Sequence, residues 1–155
     1  MTERLTNEWT DTLEEAFGRT PEVEKGLLAE QLYHEWAKTI YPHVEYFPDD
    51  YEKQVSGIDF EIKKPNWRRP YGIDVKGNMN GKGYFFVDNT DNGWLRSTKK
   101  KTDRICHICC ESGWALEYDR KDMIKFIGDD RDYDSVMLNS MQADIKDFTR
   151  RFKVK

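Results

Sequence analysis

The sequence has few of the residues that build disulfide frameworks or zinc sites. It contains only three cysteines and three histidines in 155 residues. The cysteines, Cys106, Cys109 and Cys110, lie too close together for a disulfide framework, which favours reduced thiols. No apolar run is long enough to cross a bilayer, and the opening MTERLTNEWT lacks the apolar core of a signal peptide. We therefore expect a soluble, cytoplasmic protein with no membrane partner.

Aromatic residues are abundant and offset a modest hydrophobic content. Hydrophobic residues make up 37% of the chain and charged residues 35%, but aromatics reach 14%, which is not typical of disordered chains. A chain of 155 residues has room for one domain with one core. We predict a single domain over 1–155, with a core at about 21–127 and added helices at 1–18 and 135–152.

Hydrophobic periodicity predicts a mixed α/β fold, with a central mixed β-sheet flanked by helices. The segment Pro21–Ile40 is predicted as a helix that packs on the core through one stripe of side chains, with further apolar residues beside it. The stripe is Leu28, Leu32, Trp36 and Ile40, and the residues beside it are Ala29, Tyr33 and Ala37. A shorter helix is predicted at Arg120–Ile127, capped by Asp119 and ended by Gly128. The predicted strands are His43–Phe47, Gln54–Ile62, Tyr71–Lys76, Tyr84–Asp88, Arg104–Cys110 and Trp114–Tyr118.

Two short motifs place acidic and basic side chains on neighbouring predicted strands. Asp59 ends the motif GID, and Asp74 and Lys76 belong to the motif IDVK. Residues two apart on a strand share a face, so Asp74 and Lys76 point the same way. Carboxylates are suitable ligands for Mg²⁺, and a nearby ammonium can stabilise the charge that develops on a phosphate. The pattern therefore indicates metal-assisted phosphodiester hydrolysis.

These residues resemble the signature of the PD-(D/E)XK nuclease superfamily: an acidic residue, a variable gap, then an acidic residue and a lysine two positions apart. Asp59 matches the first position, and Asp74-Val75-Lys76 matches the second. Ile58 stands where the name-giving proline would be. The likeness extends over roughly Pro21 to Ile127.

The resemblance implies a restriction-endonuclease-like core and a Mg²⁺-dependent endonuclease acting on DNA, with Mn²⁺ able to substitute. Asp59, Asp74 and the Val75 carbonyl would hold the metal, and Lys76 would orient the attacking water. The motif GLLAE resembles the G-x-x-x-E of the first helix in many members, which makes Glu30 an auxiliary ligand. Glu35, on the other border of the same helix, is the competing candidate. The compact form resembles small phage-encoded or resolvase-like nucleases, and cutting both strands favours a homodimer.

Other features leave alternatives open. The clusters Lys63, Lys64, Arg68, Arg69 and Lys99, Lys100, Lys101 suit DNA phosphates or an ordinary solvated surface equally well. A zinc site at Cys106, His107, Cys109 and Cys110 is disfavoured, because strand alternation divides these side chains between two faces. Asp59 and Asp74 could also simply pair with Lys76 on a solvated sheet. A non-catalytic nucleic-acid-binding protein on the same fold and a structure-specific or RNA-directed nuclease remain alternative functions.

Overall fold

A computed structural model of the chain describes residues 21–129 and 132–155. The predicted helix at 1–18 lies outside these ranges. The described residues form three helices and eight strands, numbered in chain order. They are α1 (Pro21–Ile40), β1 (His43–Tyr46), α2 (Tyr51–Val55), β2 (Phe60–Lys63), β3 (Tyr71–Lys76), β4 (Tyr84–Asp88), β5 (Arg104–Ile108), β6 (Trp114–Asp119), α3 (Arg120–Ile127), β7 (Ser135–Asn139) and β8 (Thr149–Lys153).

The fold is α/β, with a six-stranded mixed sheet in the order β1-β2-β3-β5-β6-β8 and a two-stranded sheet of β4 and β7. β3 and β5 are parallel, and the other neighbours are antiparallel. The β3–β5 crossover contains β4 and a long loop. This arrangement places β3, which carries Asp74 and Lys76, inside the large sheet.

The two faces of the large sheet are covered by different elements. On one face, Ala29, Tyr33 and Ala37 of α1 pack with Phe60, Ile73 and other buried side chains of the sheet. The opposite face packs against β4, β7 and α3, through residues such as Phe85, Leu138 and Met123. A helix of 20 residues and a two-stranded sheet therefore lie on opposite sides of β3.

The helix α1 has the predicted bounds, but it buries a neighbouring set of side chains. Ala29, Tyr33 and Ala37 are fully buried, whereas Leu28 and Ile40 are exposed. The stripe is rotated by about one residue because small alanines allow the helix to approach the sheet closely, with Tyr33 filling the space between them.

Two segments predicted from their pattern adopt different structures. The predicted strand Gln54–Ile62 begins only at Phe60, because Asp50 caps the short helix α2 by accepting a 3.0 Å hydrogen bond from the Lys53 N–H. The predicted helix at 135–152 was wrong: the segment contains β7 and β8. Both strands hydrogen-bond to a partner strand: β7 pairs with β4, and β8 pairs with β6. The core therefore continues beyond residue 127.

The helix α3 confirms the predicted span, although its first residue is capped differently. Asp119 stands at the N-cap without a side-chain capping hydrogen bond. Its carboxylate instead accepts a hydrogen bond from Arg104 Nε at 3.2 Å, which ties α3 to β5. None of the described helices has the length and apolar character needed to span a bilayer.

Candidate active site

The hairpin of β2 and β3 brings Asp59 next to Asp74. Phe60 pairs with Ile73 in an antiparallel register, so the residue before Phe60 lies opposite the residue after Ile73. The Asp59 N–H donates to the Ile73 carbonyl at 2.8 Å, which continues the pairing by one step. Asp59 Oδ2 then accepts a 2.8 Å hydrogen bond from the Val75 N–H. The Asp59 carboxylate is thereby held against the edge of β3.

The Val75 carbonyl points toward the same place as the Asp59 carboxylate. The N–H and C=O of one strand residue are directed to the same side of the strand. Since the Val75 N–H faces Asp59, its carbonyl oxygen also faces the side where β2 pairing has ended. The structure thus brings two carboxylates and one backbone oxygen to the end of β3.

Lys76 joins this group from the same strand face as Asp74. Its Nζ lies 3.3 Å from Asp74 Oδ2. The Nζ also lies 4.8 Å from the centroid of the Trp94 ring, a distance typical of a cation–π contact. Asp74 is buried, whereas Lys76 keeps partial contact with solvent. The lysine is therefore held between a carboxylate and an aromatic face.

The two candidate carboxylates of helix α1, Glu30 and Glu35, have different surroundings. Glu30 Oε1 accepts a 2.6 Å hydrogen bond from the hydroxyl of Tyr46 on β1. Glu30 lies close enough to Asp74 and Lys76 for the charges of both residues to shift its pKa. Glu35 is exposed and pairs with Lys38 at 3.2 Å. The geometry therefore favours Glu30 as the helix carboxylate of the group.

The electrostatics of the group favour taking up positive charge. Burial, followed by the negative charges of Asp74 and Glu30, raises the pKa of Asp59 well above its usual value. Burial also raises the pKa of Glu30, and Asp74 adds to that shift, while the Tyr46 hydrogen bond and Lys76 oppose it. Lys76 alone does not offset three carboxylates. Raised pKa values among carboxyl groups that act on one another are frequent at functional sites.

A turn between α2 and β2 positions Asp59. Gly57 has a φ of +75°, and a Cβ at this position would lie 2.7 Å from Thr102 Oγ1. Thr102 donates from its hydroxyl to the Gly57 carbonyl at 2.6 Å, and the Lys101 N–H donates to the Ser56 carbonyl at 2.8 Å. Glycine is therefore required here for both conformation and space.

Gly77 permits the close approach of α1 to the end of β3. A Cβ on Gly77 would lie 2.5 Å from the Lys25 carbonyl oxygen, which is helix backbone and cannot rotate away. Gly77 directly follows Lys76, and Lys25 lies about one helical turn before Glu30. The missing side chain thus sets the separation between the elements that carry Glu30 and Lys76.

The oxygen donors suit a hard divalent cation such as Mg²⁺. Among the described residues, no three or more His, Cys, Asp and Glu side chains form a ready-made metal site. Mg²⁺ is commonly bound through one or two carboxylates completed by water and substrate phosphate oxygens. Asp59, Asp74 and the Val75 carbonyl would supply the protein oxygens of such a site, and Glu30 is near enough to Asp59 to raise its pKa. The donor chemistry and the repulsion among the carboxylates therefore fit this ion.

The two predicted basic clusters occupy different places. Lys63, Lys64, Arg68 and Arg69 belong to the β2–β3 hairpin tip, at the opposite end of these strands from Asp59 and Asp74. Arg69 is engaged there with both carboxylate oxygens of Asp103, at 2.9 and 3.0 Å. The structure does not bring the hairpin tip to the carboxylates.

The second basic cluster lies beside the turn that leads into Asp59. Lys100 Nζ donates to the Val55 carbonyl at 3.0 Å, while Lys99 and Lys101 are exposed. This cluster, 99–101, thus packs against the segment that positions a site carboxylate.

The cysteine-rich strand is divided between two faces, as strand alternation predicts. Cys106 and Cys110 belong to the core beneath α1, and Cys109 belongs to the core on the opposite face. All three thiols are free and buried. His107 is also buried, with Nδ1 2.6 Å from Asn78 Oδ1 and Nε2 2.6 Å from the Tyr118 hydroxyl.

Sequence reasoning missed two aromatic residues that contact the group, Trp94 and Tyr46. Trp94 lies in an irregular segment, and Tyr46 lies on an edge strand. Neither position has a local pattern that links it to residues 30 or 76. Only the packing of the crossover loop and of α1 reveals these contacts.

Comparisons with known proteins found no matching family model, curated protein or solved structure. An assignment of the site therefore depends on Asp59, Asp74, Lys76 and Glu30 and on the contacts described above.

Proposed function

We propose that the chain is a metal-dependent endonuclease that hydrolyses DNA phosphodiester bonds through a PD-(D/E)XK-type site in a restriction-endonuclease-like core. The observation that carries the proposal is the register of β2 on β3, which sets Asp59 against the strand bearing Asp74 and Lys76. Lys76 lies 3.3 Å from Asp74, and the charges of both residues act on the Asp59 carboxylate.

Each residue has a distinct role in this proposal. Asp59, Asp74 and the Val75 carbonyl would hold Mg²⁺, or Mn²⁺ in its place, and Glu30 would bind one of its waters. The ion would neutralise phosphate oxygens and lower the pKa of an attacking water. Lys76 would hold that water and stabilise the negative charge of the transition state. Trp94 limits where the lysine ammonium can move.

The superfamily resemblance extends the proposal to products and assembly. It implies 5′-phosphate and 3′-hydroxyl ends. Cleaving both strands of a duplex requires two active centres, which favours a homodimer. The basic cluster 99–101 lies beside the turn into Asp59 and is the better placed of the two clusters for contacting a scissile strand.

The decisive experiment measures Mg²⁺-dependent cleavage of supercoiled plasmid and branched DNA. We expect Asp74→Asn and Lys76→Ala to lose roughly a hundredfold or more in rate, because each removes charge stabilisation in the transition state. Glu30→Gln should lose about ten- to a hundredfold, as for residues that orient metal ligands. Glu35→Gln is the matched control, since it removes an exposed carboxylate from the same helix and should cleave like wild type.

Thermal melts of the same proteins separate loss of folding from loss of chemistry. Equal cleavage by wild type, Asp74→Asn and Lys76→Ala would discard the proposal. Binding of DNA in EDTA, with no cleavage by wild type in Mg²⁺ or Mn²⁺, would favour a nucleic-acid-binding protein on the same fold. Parallel assays on RNA test the sugar preference.

A further inference from the structure

Two adjacent cavities lie between Lys76 and Trp114. The first, of about 650 Å³, lies among the start of α1, the end of β3 and β4, and Lys76 lines it. The second, of about 200 Å³, lies between the loop before β4 and the strands β6 and β8, and Trp114 lines it. Met79, Asn80 and Gly81 line both cavities, so the two adjoin along one segment and are together called the track.

Each cavity presents an exposed aromatic side chain. Phe86 is 47% exposed and lines the first cavity, and Trp114 is 38% exposed and lines the second. Two cationic side chains contact the Trp114 ring. The Arg151 guanidinium carbon lies 4.5 Å and Lys153 Nζ lies 5.4 Å from the ring centroid. Aromatic rings and guanidinium planes are the surfaces on which unpaired bases stack.

The charge of the track is positive although the net charge of the chain is −4. Lys25 and Lys76 line the first cavity, and Lys82 and Arg151 line the second. In the described part of the chain, neither Lys82 nor Arg151 forms an ion pair with a carboxylate. Among the described residues that line the two cavities, Glu111 is the only carboxylate. The track therefore complements a polyanion.

We propose that this track binds a single-stranded nucleic acid and delivers it to Lys76, which makes the substrate of the proposed nuclease an unpaired strand or a junction with an unpaired arm. Delivery of the strand to Lys76 rests on the proposed function. Binding of the strand to the track does not require cleavage and can be measured without it. Stacking requires an accessible base face, and bases within a duplex have none to offer. A duplex would contact only the cationic side chains of the track and would not stack on its aromatic rings.

The test measures binding of fluorescein-labelled (dT)20 and of a 20-base-pair duplex by anisotropy in EDTA, so that no cleavage contributes. We expect wild type to bind (dT)20 more tightly than the duplex. Trp114→Ala should weaken (dT)20 binding about tenfold, whereas Trp114→Phe, which keeps an aromatic ring, should restore most of it. Arg151→Ala should lower the slope of log affinity against log salt by about 0.7, the value for one lost contact to a single strand.

Controls are provided by Tyr133→Ala and Lys121→Ala, which remove an exposed ring and an exposed cation that line neither cavity. Both should bind like wild type. A parallel arm with (rU)20 distinguishes DNA from RNA as the source of the strand. Unchanged (dT)20 binding in Trp114→Ala and Arg151→Ala would overturn the proposal. So would a change of oligomeric state in Trp114→Ala without loss of binding, because this face would then be an interface between copies.

The two proposals fail in distinguishable ways. Single-strand binding that depends on Trp114, without cleavage in Mg²⁺ or Mn²⁺, would support the binding proposal and contradict the nuclease proposal. Cleavage that depends on Asp74, with equal rates for wild type and Trp114→Ala on single-stranded and duplex DNA, would support the nuclease and remove the track.

Discussion

The ring of Trp94 lies 4.8 Å from the Nζ of Lys76, on a loop that the sequence does not link to β3. Arg120 holds this loop in place by donating hydrogen bonds to the carbonyls of Leu95, Ser97 and Lys100. A helix residue thereby fixes the loop that covers the candidate catalytic lysine.

The contact predicts that Trp94 positions Lys76 for the proposed cleavage. Trp94→Leu should lower the cleavage rate about two- to thirtyfold, because a cation–π contact contributes about 0.5–2 kcal/mol. Trp94→Phe should lose less, since it keeps an aromatic face. Single-turnover cleavage rates at saturating protein measure this directly. A leucine variant as fast as wild type, with an unchanged melting temperature, would contradict the role.

The raised pKa of Asp59 predicts that its carboxylate destabilises the metal-free protein at neutral pH. The folded state binds the proton more tightly than the unfolded chain, so the stabilising contribution is present below about pH 4 and is lost as the pH rises through the folded pKa. Asp59→Asn should therefore be more stable than wild type at pH 7 in EDTA, and the difference should shrink toward pH 4.

Urea denaturation of both proteins at pH 4 and pH 7 provides the measurement. Added Mg²⁺ or Ca²⁺ should stabilise wild type more than Asp59→Asn, because ion binding to the folded state raises stability by mass action. Equal stabilisation of the two proteins would show that Asp59 does not hold the ion.

His107 predicts a second pH dependence, of opposite sign. Burial, and secondarily the charge of Lys76, lowers the pKa of His107 from 6.5 to about 3. Between these values the unfolded chain binds the extra proton, so stability falls as the pH decreases, by up to about 1.4 kcal/mol per pH unit. His107→Gln should be less stable at pH 7 but lose less stability between pH 7 and pH 5. His43→Gln, at an exposed position, serves as the control in the same denaturation series.

The close approach at Gly77 predicts a steric effect on both stability and activity. Gly77→Ala should destabilise the protein by about 1–3 kcal/mol, since the methyl group meets the Lys25 carbonyl and α1 must move. Cleavage should fall with it, because Glu30 and Lys76 would separate. Gly81→Ala is the matched control, as its Cβ meets nothing within 4 Å. Similar melting temperatures for the two variants would show that α1 tolerates the shift.

The positions of the basic clusters predict unequal roles in duplex binding. Lys99→Ala and Lys101→Ala should each lower the slope of log affinity against log salt by up to about 0.9, the value for one phosphate contact on a duplex. Lys64→Ala and Arg68→Ala, at the far end of the hairpin, should leave the slope unchanged. Anisotropy titrations with a duplex at several salt concentrations distinguish the clusters.

The sequence by itself determined the elements whose signals are local. The bounds of α1 follow from its composition and from Pro21, and alternation alone puts Asp74 and Lys76 on one face of β3. The same alternation divides the cysteines of β5 and of the residues that follow it between the two faces of the sheet.

Only the tertiary structure decided the features that depend on pairing across the chain. β7 and β8 are strands because β4 and the edge of β6 supply partners, which a local pattern compatible with a helix cannot reveal. Asp59 meets Val75 through a turn anchored by residues 100–102, and the 38% exposure of Trp114 results from packing around a cavity lined by residues far apart in sequence. Side-chain periodicity is set by neighbours along the backbone, whereas convergence and exposure are set by packing between segments far apart in sequence.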